Sequence, residues 1–317
     1  MIHYLQVGRG CEMRRVDIEV TMKSLSGLFR GVCAAVVALG LMSATAPTGH
    51  AADVEYLMVP SPAMGRDIPV AFMGGGPHAV VLLDAFNAGD PVSNWVTAGN
   101  AFNTLAGKGV SVVAPASGAF TLYTNWEADG TRQWETFLSD ELPNWLAANK
   151  GLAPGGHAIV GAAQGGLGAM MEATFHPDRY RYAGSLSGFL TPSNTFMNGA
   201  ITAGMNEFGG VNTQAMWGAA QLGRWKWHDP EVHVQLLADN NTRLWVFSPQ
   251  TTTCSDVPAM IGYCDLAQGS NRTFYAHYRA VGGRNGHFDF PAGGNHDWGN
   301  WAGQLAAMSG DVVAAIK

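Results

Sequence analysis

The stretch His157–Gly168 reads HAIVGAAQGGLG and joins two kinds of local pattern. Residues 158–160 (AIV) form a β-prone run, and Ala169–Phe175 favours a helix that ends before Pro177. Between them stands a five-residue frame with glycine at both ends, Gly161-Ala162-Ala163-Gln164-Gly165. The pattern predicts a strand, a tight turn and a helix in immediate succession.

This frame matches the nucleophile elbow of α/β-hydrolases, whose pattern is G-x-S-x-G. Its glycines permit a strained strand-to-helix turn that lifts a hydroxyl above the sheet. Here the central position holds Ala163 instead of serine. Because alanine has no nucleophilic atom, the sequence predicts the turn without its attacking group.

An acyl-transfer site also needs a histidine base, a carboxylate that orients it and N–H donors for the oxyanion. His296 is the best candidate for the base, since it lies in a glycine-rich loop before the last predicted helix. Asp256 and Asp265 are the nearest carboxylates after the strand predicted at Arg243–Ser248, and neither belongs to a motif. The predicted triad positions are therefore degenerate: Ala163, Asp265 and His296.

A hydrolase frame that lacks its nucleophile can still hold a ligand. Asp84 ends a predicted strand, and the amide of Gln164 follows Ala163 where a polar ligand would lie. Rings with a few hydrogen-bonding groups beside them suit sugars. We expect three tryptophans near the mouth of the site: Trp95, Trp126 and Trp298.

Short apolar runs alternate with helical patterns along the rest of the chain. Continuous runs at His78–Asp84 and Val110–Ala114 indicate strands buried on both faces. A helical spacing runs from Arg132 to Lys150, where Pro143 predicts a break or kink. Residues 190–240 are too long for a bare loop and are predicted to contain helices. The expected fold class is α/β, with a central, mainly parallel sheet flanked by helices in a single domain at 52–317.

The first 51 residues have a different character from the rest. Met22, Lys23 and Arg30 precede an apolar run of about a dozen residues, and small residues follow at Gly49-His50-Ala51. We interpret 22–51 as a secretory signal peptide and 1–21 as a start-site extension. A membrane anchor is the weaker alternative, because a bilayer requires about 20 apolar residues. The protein is thus expected to be secreted, with a cell-wall association left open.

The charge balance and the histidine spacing limit the classes of partner and ligand that we expect. Without residues 1–51 the chain keeps 13 basic and 21 acidic side chains, a net charge of −8 with neutral histidines. This balance argues against nucleic acid as a partner. His228 and His233 invite a metal hypothesis, but their i, i+5 spacing does not place them on one helical face. No metal and no cofactor is predicted.

Two cysteines, Cys254 and Cys264, remain after the leader is removed. They lie ten residues apart in a chain that we expect to reach an oxidising compartment. A local disulfide is one hypothesis, and two buried free thiols are the other.

Long segments of the chain resemble the mycobacterial antigen 85 family, secreted mycolyltransferases that also bind fibronectin. The similarity covers essentially all of the mature chain and is closest to the non-catalytic fourth member, a smaller exported antigen. It is carried by VPSPAMGRDIPV (59–70), VVLLDAF (80–86), NWEADGTRQWETFLSDELPNWL (125–146), HPDRYRYAGSLSGFLTPS (176–193), WKWHDPEVHVQLLADNNTRLWVFS (225–248) and NGHFDFPAGGNHDWGNWAGQLAAMSGD (285–311).

The resemblance implies roles for individual positions. The family's serine falls on Ala163, its oxyanion-hole neighbour on Gln164 and its histidine on His296, while its glutamate aligns near Cys264 and Asp265, where no glutamate stands. The aspartate of the sugar pocket matches Asp84, but its arginine partner matches Asn87. The aromatic segment proposed for fibronectin contact reads AFNTLAGKGV here. The expected ligand-binding set is Asp84, Phe86, Asn87, Gln164, His296 and Trp298.

These observations lead to one expectation and one alternative. The expectation is a non-catalytic protein that binds fibronectin or another matrix protein, small sugars such as trehalose, or both, in host attachment. It involves no stable membrane anchor. The alternative is an acyltransferase or esterase of the mycolyltransferase type that acts on trehalose lipids.

Overall fold

A computed structural model describes residues 53–220, 222–254, 264 and 266–317, with residues 251–254 described by their backbone alone. The predicted leader, 1–51, lies outside these residues. Among the described residues, no helix combines the length and the hydropathy needed to cross a membrane.

Among the described residues, eight strands form the central sheet. They are β1 Glu55–Ser61, β2 Arg66–Met73, β3 Ala79–Leu83, β4 Ser111–Pro115, β5 His157–Ala162, β6 Tyr180–Leu186, β7 Arg243–Phe247 and β9 Gly286–Asp289. Their order in the sheet is β1-β2-β4-β3-β5-β6-β7-β9. The β1–β2 and β2–β4 pairs are antiparallel and all other pairs are parallel, which confirms the mainly parallel sheet. Two further short strands, β8 Thr251–Cys254 and β10 Gly294–His296, pair in parallel beside the sheet.

Helices cover both faces of the sheet. They are α1 Asn94–Thr97, α2 Ala101–Leu105, α3 Trp134–Thr136, α4 Leu142–Lys150, α5 Gln164–Phe175, α6 Thr195–Phe208, α7 Gln214–Trp217, α8 Arg224–Trp227, α9 Val234–Asp239, α10 Leu266–Ala280 and α11 Trp298–Ile316. Alternate residues of β3 enter two separate cores. Val81 packs with the faces of α4, α5 and α10, whereas Val80 and Leu82 pack with α2 and α11. The result is a three-layer α/β sandwich.

The prediction for 190–240 is confirmed, because this segment carries α6 to α9. Met205, Trp217 and Trp225 from this segment join Phe86 and Phe189 in a third buried cluster. Since Phe86 follows β3 and Phe189 follows β6, the cluster lies at the carboxyl ends of the parallel strands. The insertion therefore covers the part of the sheet where the predicted site lies.

Pro143 has the predicted effect on its helix. A π-helical turn, Phe137–Glu141, separates α3 from α4, and Pro143 is the second residue of α4. Proline has no N–H to bond to the preceding turn, so the regular hydrogen-bond ladder is interrupted there.

The strand β9 was not predicted. It is only four residues long, and its residue His287 stacks on Trp245 of the neighbouring strand with ring centroids 3.9 Å apart.

Candidate functional site

The carboxyl edge of the parallel sheet brings together residues that are far apart in the chain. Asp84 follows β3, Ala163 follows β5, Ser187 follows β6, and His296 ends β10. Ligands and catalytic groups of open α/β folds gather at this edge because the parallel strands all end there. The structure thus places the predicted residues Asp84, Ala163 and His296 on the same side of the molecule.

The turn at Ala163 has the geometry of a nucleophile elbow. Ala163 has φ 47° and ψ −114°, a backbone conformation that residues with a Cβ atom rarely adopt. A Cβ added to Gly161 would lie 2.0 Å from the carbonyl oxygen of Gly165, and one added to Gly165 would lie 2.5 Å from that of Leu83. Glycine is therefore required at both ends of the frame for steric reasons. The predicted elbow is confirmed, complete except for the hydroxyl.

The side chain of Gln164 is tied to the backbone at all of its polar atoms. Oε1 accepts hydrogen bonds from the N–H groups of Thr121 and Leu122, each at 3.1 Å. Nε2 donates to the carbonyl oxygens of Ala85 and Gly118, each at 2.9 Å. The residue is fully buried. The amide joins the loops that follow β3 and β4 to the elbow, and a ligand contact of Gln164 stays a prediction.

Asp84 is also occupied by protein groups. Its Oδ1 accepts from the Ser93 hydroxyl at 2.8 Å and from Trp95 N–H at 3.3 Å, and its Oδ2 accepts from Gly89 and Asn94 N–H at 3.2 and 3.1 Å. Burial raises the pKa of Asp84 from 3.8 to about 7, against the lowering effect of these donors. Its contact with a ligand stays a prediction. Asp84 holds the 85–95 loop closed on itself.

His296 lies in the middle of an aromatic row. Its ring stacks on Phe189 at 6.3 Å between centroids and meets Trp301 edge-on at 5.1 Å. The row extends at one end through Phe86 to Phe120, and at the other through Trp298 to Trp95. His296 is 1% exposed, and burial lowers its pKa from 6.5 to about 4. At neutral pH the histidine is a neutral ring packed among other rings.

Two members of the predicted ligand set reach the surface. Asn87 is exposed and its carbonyl oxygen accepts a 2.7 Å hydrogen bond from the Asn94 side chain. Trp298 is half-buried at the end of the aromatic row. In contrast, Phe86 is buried, and so are Trp95 and Trp126, whose indole N–H groups donate to backbone carbonyls. These two tryptophans support the loops at the carboxyl edge of the sheet, and their buried rings do not line an open binding site.

The predicted acid and the disulfide fall partly outside the described residues. Asp256 and Asp265 lie outside them, as does the side chain of Cys254. Cys264 is buried and disulfide-bonded. Its pairing with Cys254 stays a prediction, and so does any orienting role for either aspartate.

The two histidines considered for a metal are held in separate ring contacts. His228 stacks on Trp217 at 4.5 Å, and His233 packs against Phe175 at 5.0 Å. Within the described ranges, no group of three or more His, Cys, Asp or Glu side chains could hold a metal ion. The rings of His228 and His233 are parts of the cover over the sheet.

Ser187 is one of several non-glycine residues with a positive φ near this edge of the sheet, together with Phe120, Leu122 and Tyr123. Ser187 has φ 57° and is buried, and its hydroxyl lies 3.4 Å from the indole N–H of Trp301, which donates to it. Trp301 in turn contacts His296. A serine in this backbone conformation is uncommon, but no residue pattern in the GSLSG segment signals it. The nucleophile position of the elbow, by comparison, offers no reactive atom.

Comparisons with known proteins agree with this geometry. The family model described as "Putative esterase" matches residues 61–312. The MPT51/MPB51 antigen of Mycobacterium tuberculosis (strain ATCC 25618 / H37Rv) is 68% identical over 299 residues, which cover 93% of this chain and 100% of that protein. The diacylglycerol acyltransferase/mycolyltransferase Ag85C of Mycobacterium avium is 42% identical over 302 residues, which cover 92% of this chain and 85% of that protein.

A solved structure shows the same fold. The crystal structure of Mycobacterium tuberculosis MPT51 (FbpC1) superposes with a TM-score of 0.82 at 72% identity, and the match covers 84% of this chain and 100% of that one. The α/β-hydrolase architecture inferred from the elbow is confirmed. The chain therefore belongs to the esterase family and, within it, to the antigen 85 family that includes the MPT51 antigens.

Proposed function

We propose that this protein is a secreted, non-catalytic member of its family that uses the esterase frame for binding. The observation that carries the proposal is Ala163, which stands in the strained nucleophile conformation without a nucleophilic atom. Removal of the nucleophile from a catalytic triad costs on the order of 10⁶-fold in rate. The frame is kept because the fold needs it, and the chemistry is lost with one side chain.

The surroundings of Ala163 support the same proposal. Gln164 closes the space beside the elbow with four hydrogen bonds to the backbone. His296 is neutral and surrounded by rings. A substrate carbonyl would have to displace these buried groups before it met a hydroxyl at position 163. The site as folded therefore favours structural roles over turnover.

The proposed ligands are fibronectin or another matrix protein and small sugars such as trehalose, with a role in host attachment. Asn87 and Trp298 support this, since both reach the surface at the carboxyl edge of the sheet. The half-exposed indole of Trp298 offers the apolar face that sugars need, and Asn87 places a polar residue at the same edge. The net charge of −8 expected for the mature chain disfavours nucleic acid and other polyanions.

Direct binding tests the ligand part of the proposal. We expect purified mature protein to bind trehalose or immobilised fibronectin, and Trp298→Ala to weaken the sugar interaction by about tenfold. Tyr56→Ala, which removes a 62% exposed ring from β1, is the matched control and is expected to change nothing. Absence of binding to trehalose at millimolar concentration and to fibronectin at micromolar concentration would end this part of the proposal.

Restoring the hydroxyl tests the catalytic part. Ala163→Ser is expected to raise hydrolysis of an activated ester by less than about tenfold, because the bonds of Gln164 and the burial of His296 remain. Rates are measured with and without a serine-directed phosphonate. A large gain that the phosphonate abolishes would show that the rest of the catalytic machinery is intact.

An acyltransferase or esterase of the mycolyltransferase type is the second candidate. It is favoured by Ser187, whose strained backbone and contact with Trp301 bring a hydroxyl close to a neighbour of His296. This candidate predicts ester hydrolysis by the unmodified protein that Ser187→Ala abolishes. Equal background rates in both proteins would remove it.

A further inference from the structure

Trp227 is a large exposed ring held in one orientation by its neighbours. It stacks on Phe175 with centroids 5.1 Å apart and planes 11° from parallel, and the His233 ring meets it at 5.5 Å and 75°. Phe175 and His233 also contact each other at 5.0 Å. Trp227 is nevertheless 52% exposed. One face of the indole is therefore covered by Phe175, while the opposite face is open to solvent.

The three rings come from three separate elements. Phe175 ends α5, the helix that begins at the elbow, Trp227 ends α8, and His233 caps α9. A side chain fixed by contacts with two other elements loses little rotamer freedom when a ligand arrives. The indole is thus preorganised as a flat platform, unlike an exposed ring on a single free helix.

A groove of about 410 Å³ is lined by the residues that flank His233 in the chain. Val232 and Val234, the chain neighbours of His233, line it together with Glu231, Gln235, His277 of α10 and Val281, which follows α10. His277 Nδ1 contacts a carboxylate oxygen of Glu231 at the groove, and Gln235 is exposed. The volume lies within the range of about 300–1,000 Å³ that small-molecule sites occupy. We call Phe175, Trp227, His233 and this groove the Trp227 face.

Charge and polarity narrow the class of ligand. Glu231 contacts His277, and the neighbouring Arg224 is paired with Glu127 at 2.7 Å, so both of these charged side chains already have protein partners. A strongly anionic ligand gains little here and is repelled by the acidic mature chain. Carboxylate, imidazole and amide groups beside a flat apolar ring match hydroxylated rings better than acyl chains, which leave buried polar groups unsatisfied.

We propose that the Trp227 face binds a neutral polysaccharide chain, with one sugar ring stacked on the open side of Trp227 and the adjoining rings in the groove. The site is separate from the elbow and lies on different elements from Asn87 and Trp298. The proposal goes beyond binding of small sugars near Asn87 and Trp298, because its ligand is a polymer and its contacts involve the 190–240 segment.

Affinity electrophoresis tests the proposal with the full mature protein. Native gels contain one neutral polysaccharide each: a mannan, a glucan, a galactan or an arabinan. We expect retardation in at least one gel. Trp227→Ala is expected to weaken that interaction at least about tenfold, whereas Trp227→Phe retains it within about threefold because a stacking ring remains.

A matched control separates stacking from general loss of aromatic surface. Phe196→Ala removes an 80% exposed ring from the start of α6 and is expected to leave retardation unchanged. Circular dichroism and thermal unfolding confirm that each variant is folded. Retardation in none of the four gels would overturn the proposal, and so would retardation that Trp227→Ala leaves intact.

Two further outcomes are distinguishable. Binding of neutral phosphatidylcholine vesicles that depends on Trp227, without polysaccharide binding, would assign the face to lipid and overturn the proposal. Loss of polysaccharide binding in Trp227→Ala with unchanged trehalose binding would separate this face from the elbow. Conversely, trehalose binding that fails in the unmodified protein while polysaccharide binding persists counts against the proposed function alone.

Discussion

The nucleophile elbow and the Trp227 face differ in two respects: whether a sequence motif is present, and whether the side chains are exposed to solvent. The elbow keeps a complete structural motif, yet Ala163, Gln164 and His296 are buried and engaged with protein groups. The Trp227 face has no motif, yet it presents a fixed, open ring beside a groove. In this molecule the elbow motif therefore indicates how the chain folds. The side chains that a ligand can reach lie elsewhere, on the Trp227 face, which no sequence motif marks.

This contrast has a physical origin. The elbow glycines are fixed by backbone atoms within 2.0–2.5 Å of where a Cβ would stand, so they are required whether or not a reaction occurs. Surface rings such as Trp227 carry no such steric requirement. If the elbow is a structural element, changes there should cost stability in proportion to the contacts they break.

The largest effect is expected at Gly161. Gly161→Ala places a Cβ 2.0 Å from a backbone oxygen of the next turn and should destabilise the protein by more than about 4 kcal/mol, or prevent folding. Gly303→Ala in α11 is the control, because a Cβ there meets nothing within 4 Å. It is expected to stabilise the helix by about 0.5–1 kcal/mol. Urea unfolding measures both, and equal stabilities would contradict the steric argument.

Gln164 should come next. Gln164→Leu leaves two backbone N–H groups and two carbonyl groups near the elbow without their buried partner, and we expect a loss of about 3 kcal/mol. Gln235→Leu, which breaks only an exposed bond to Asp239, is the control and should change stability by less than about 0.5 kcal/mol. A loss at position 164 no larger than that of the control would show that the amide does not hold the loops together.

His296 predicts a pH dependence. Burial holds its pKa at about 4 in the folded state, below the 6.5 of an exposed histidine, so the unfolded chain takes up the proton first as the pH falls. The stability of the fold that depends on a neutral His296 is fully present above pH 6.5. It is lost as the pH falls from 6.5 toward 4, because the unfolded chain is then protonated in preference to the folded one. Between pH 7 and pH 5 this amounts to about 2 kcal/mol.

The measurement is the difference in slope between two proteins. His296→Gln is expected to lose about 2 kcal/mol less stability than the unmodified protein when urea unfolding is repeated at pH 7 and pH 5. Asp84, whose pKa is raised to about 7, acts in the opposite direction, but it is present in both proteins and cancels. Parallel slopes would show that His296 is not held neutral by the fold.

The smallest expected effect concerns the strain at position 163. Ala163→Gly removes the Cβ from a conformation with φ 47° and ψ −114°, and stability should rise by about 1 kcal/mol. Ala173→Gly within α5, where the backbone is helical, is the control and should lower stability. A destabilised Ala163→Gly protein would mean that the methyl group contributes more by packing than it costs in strain.

Local patterns predicted most of the frame correctly. The apolar runs at 78–84 and 110–114 are buried parallel strands, the elbow has the expected backbone, and Pro143 interrupts its helix. Each of these depends on periodicity or on the steric limits of glycine and proline, which are properties of neighbouring residues. The four-residue strand β9 escaped prediction because its pairing with β7 supplies the structure that its own sequence does not encode.

The site was predicted less well than the frame. The sequence singled out Asp84, Gln164 and His296, but the hydrogen bonds that engage Asp84 and Gln164 with protein groups were not foreseen. Gln164 bonds to residues 42 to 79 positions away, and the aromatic row through His296 draws on loops after four different strands. No spacing rule in a single sequence encodes such contacts.

The sequence by itself determined the α/β order of elements, the strained turn at Gly161–Gly165 and the missing nucleophile at Ala163. These follow from side-chain periodicity, from the absence of a Cβ on glycine and from the absence of a hydroxyl on alanine. Only the tertiary structure decided that the elbow is closed and that Trp227 is open. Burial and hydrogen bonding are set by which distant loops meet, and that depends on packing of the whole chain.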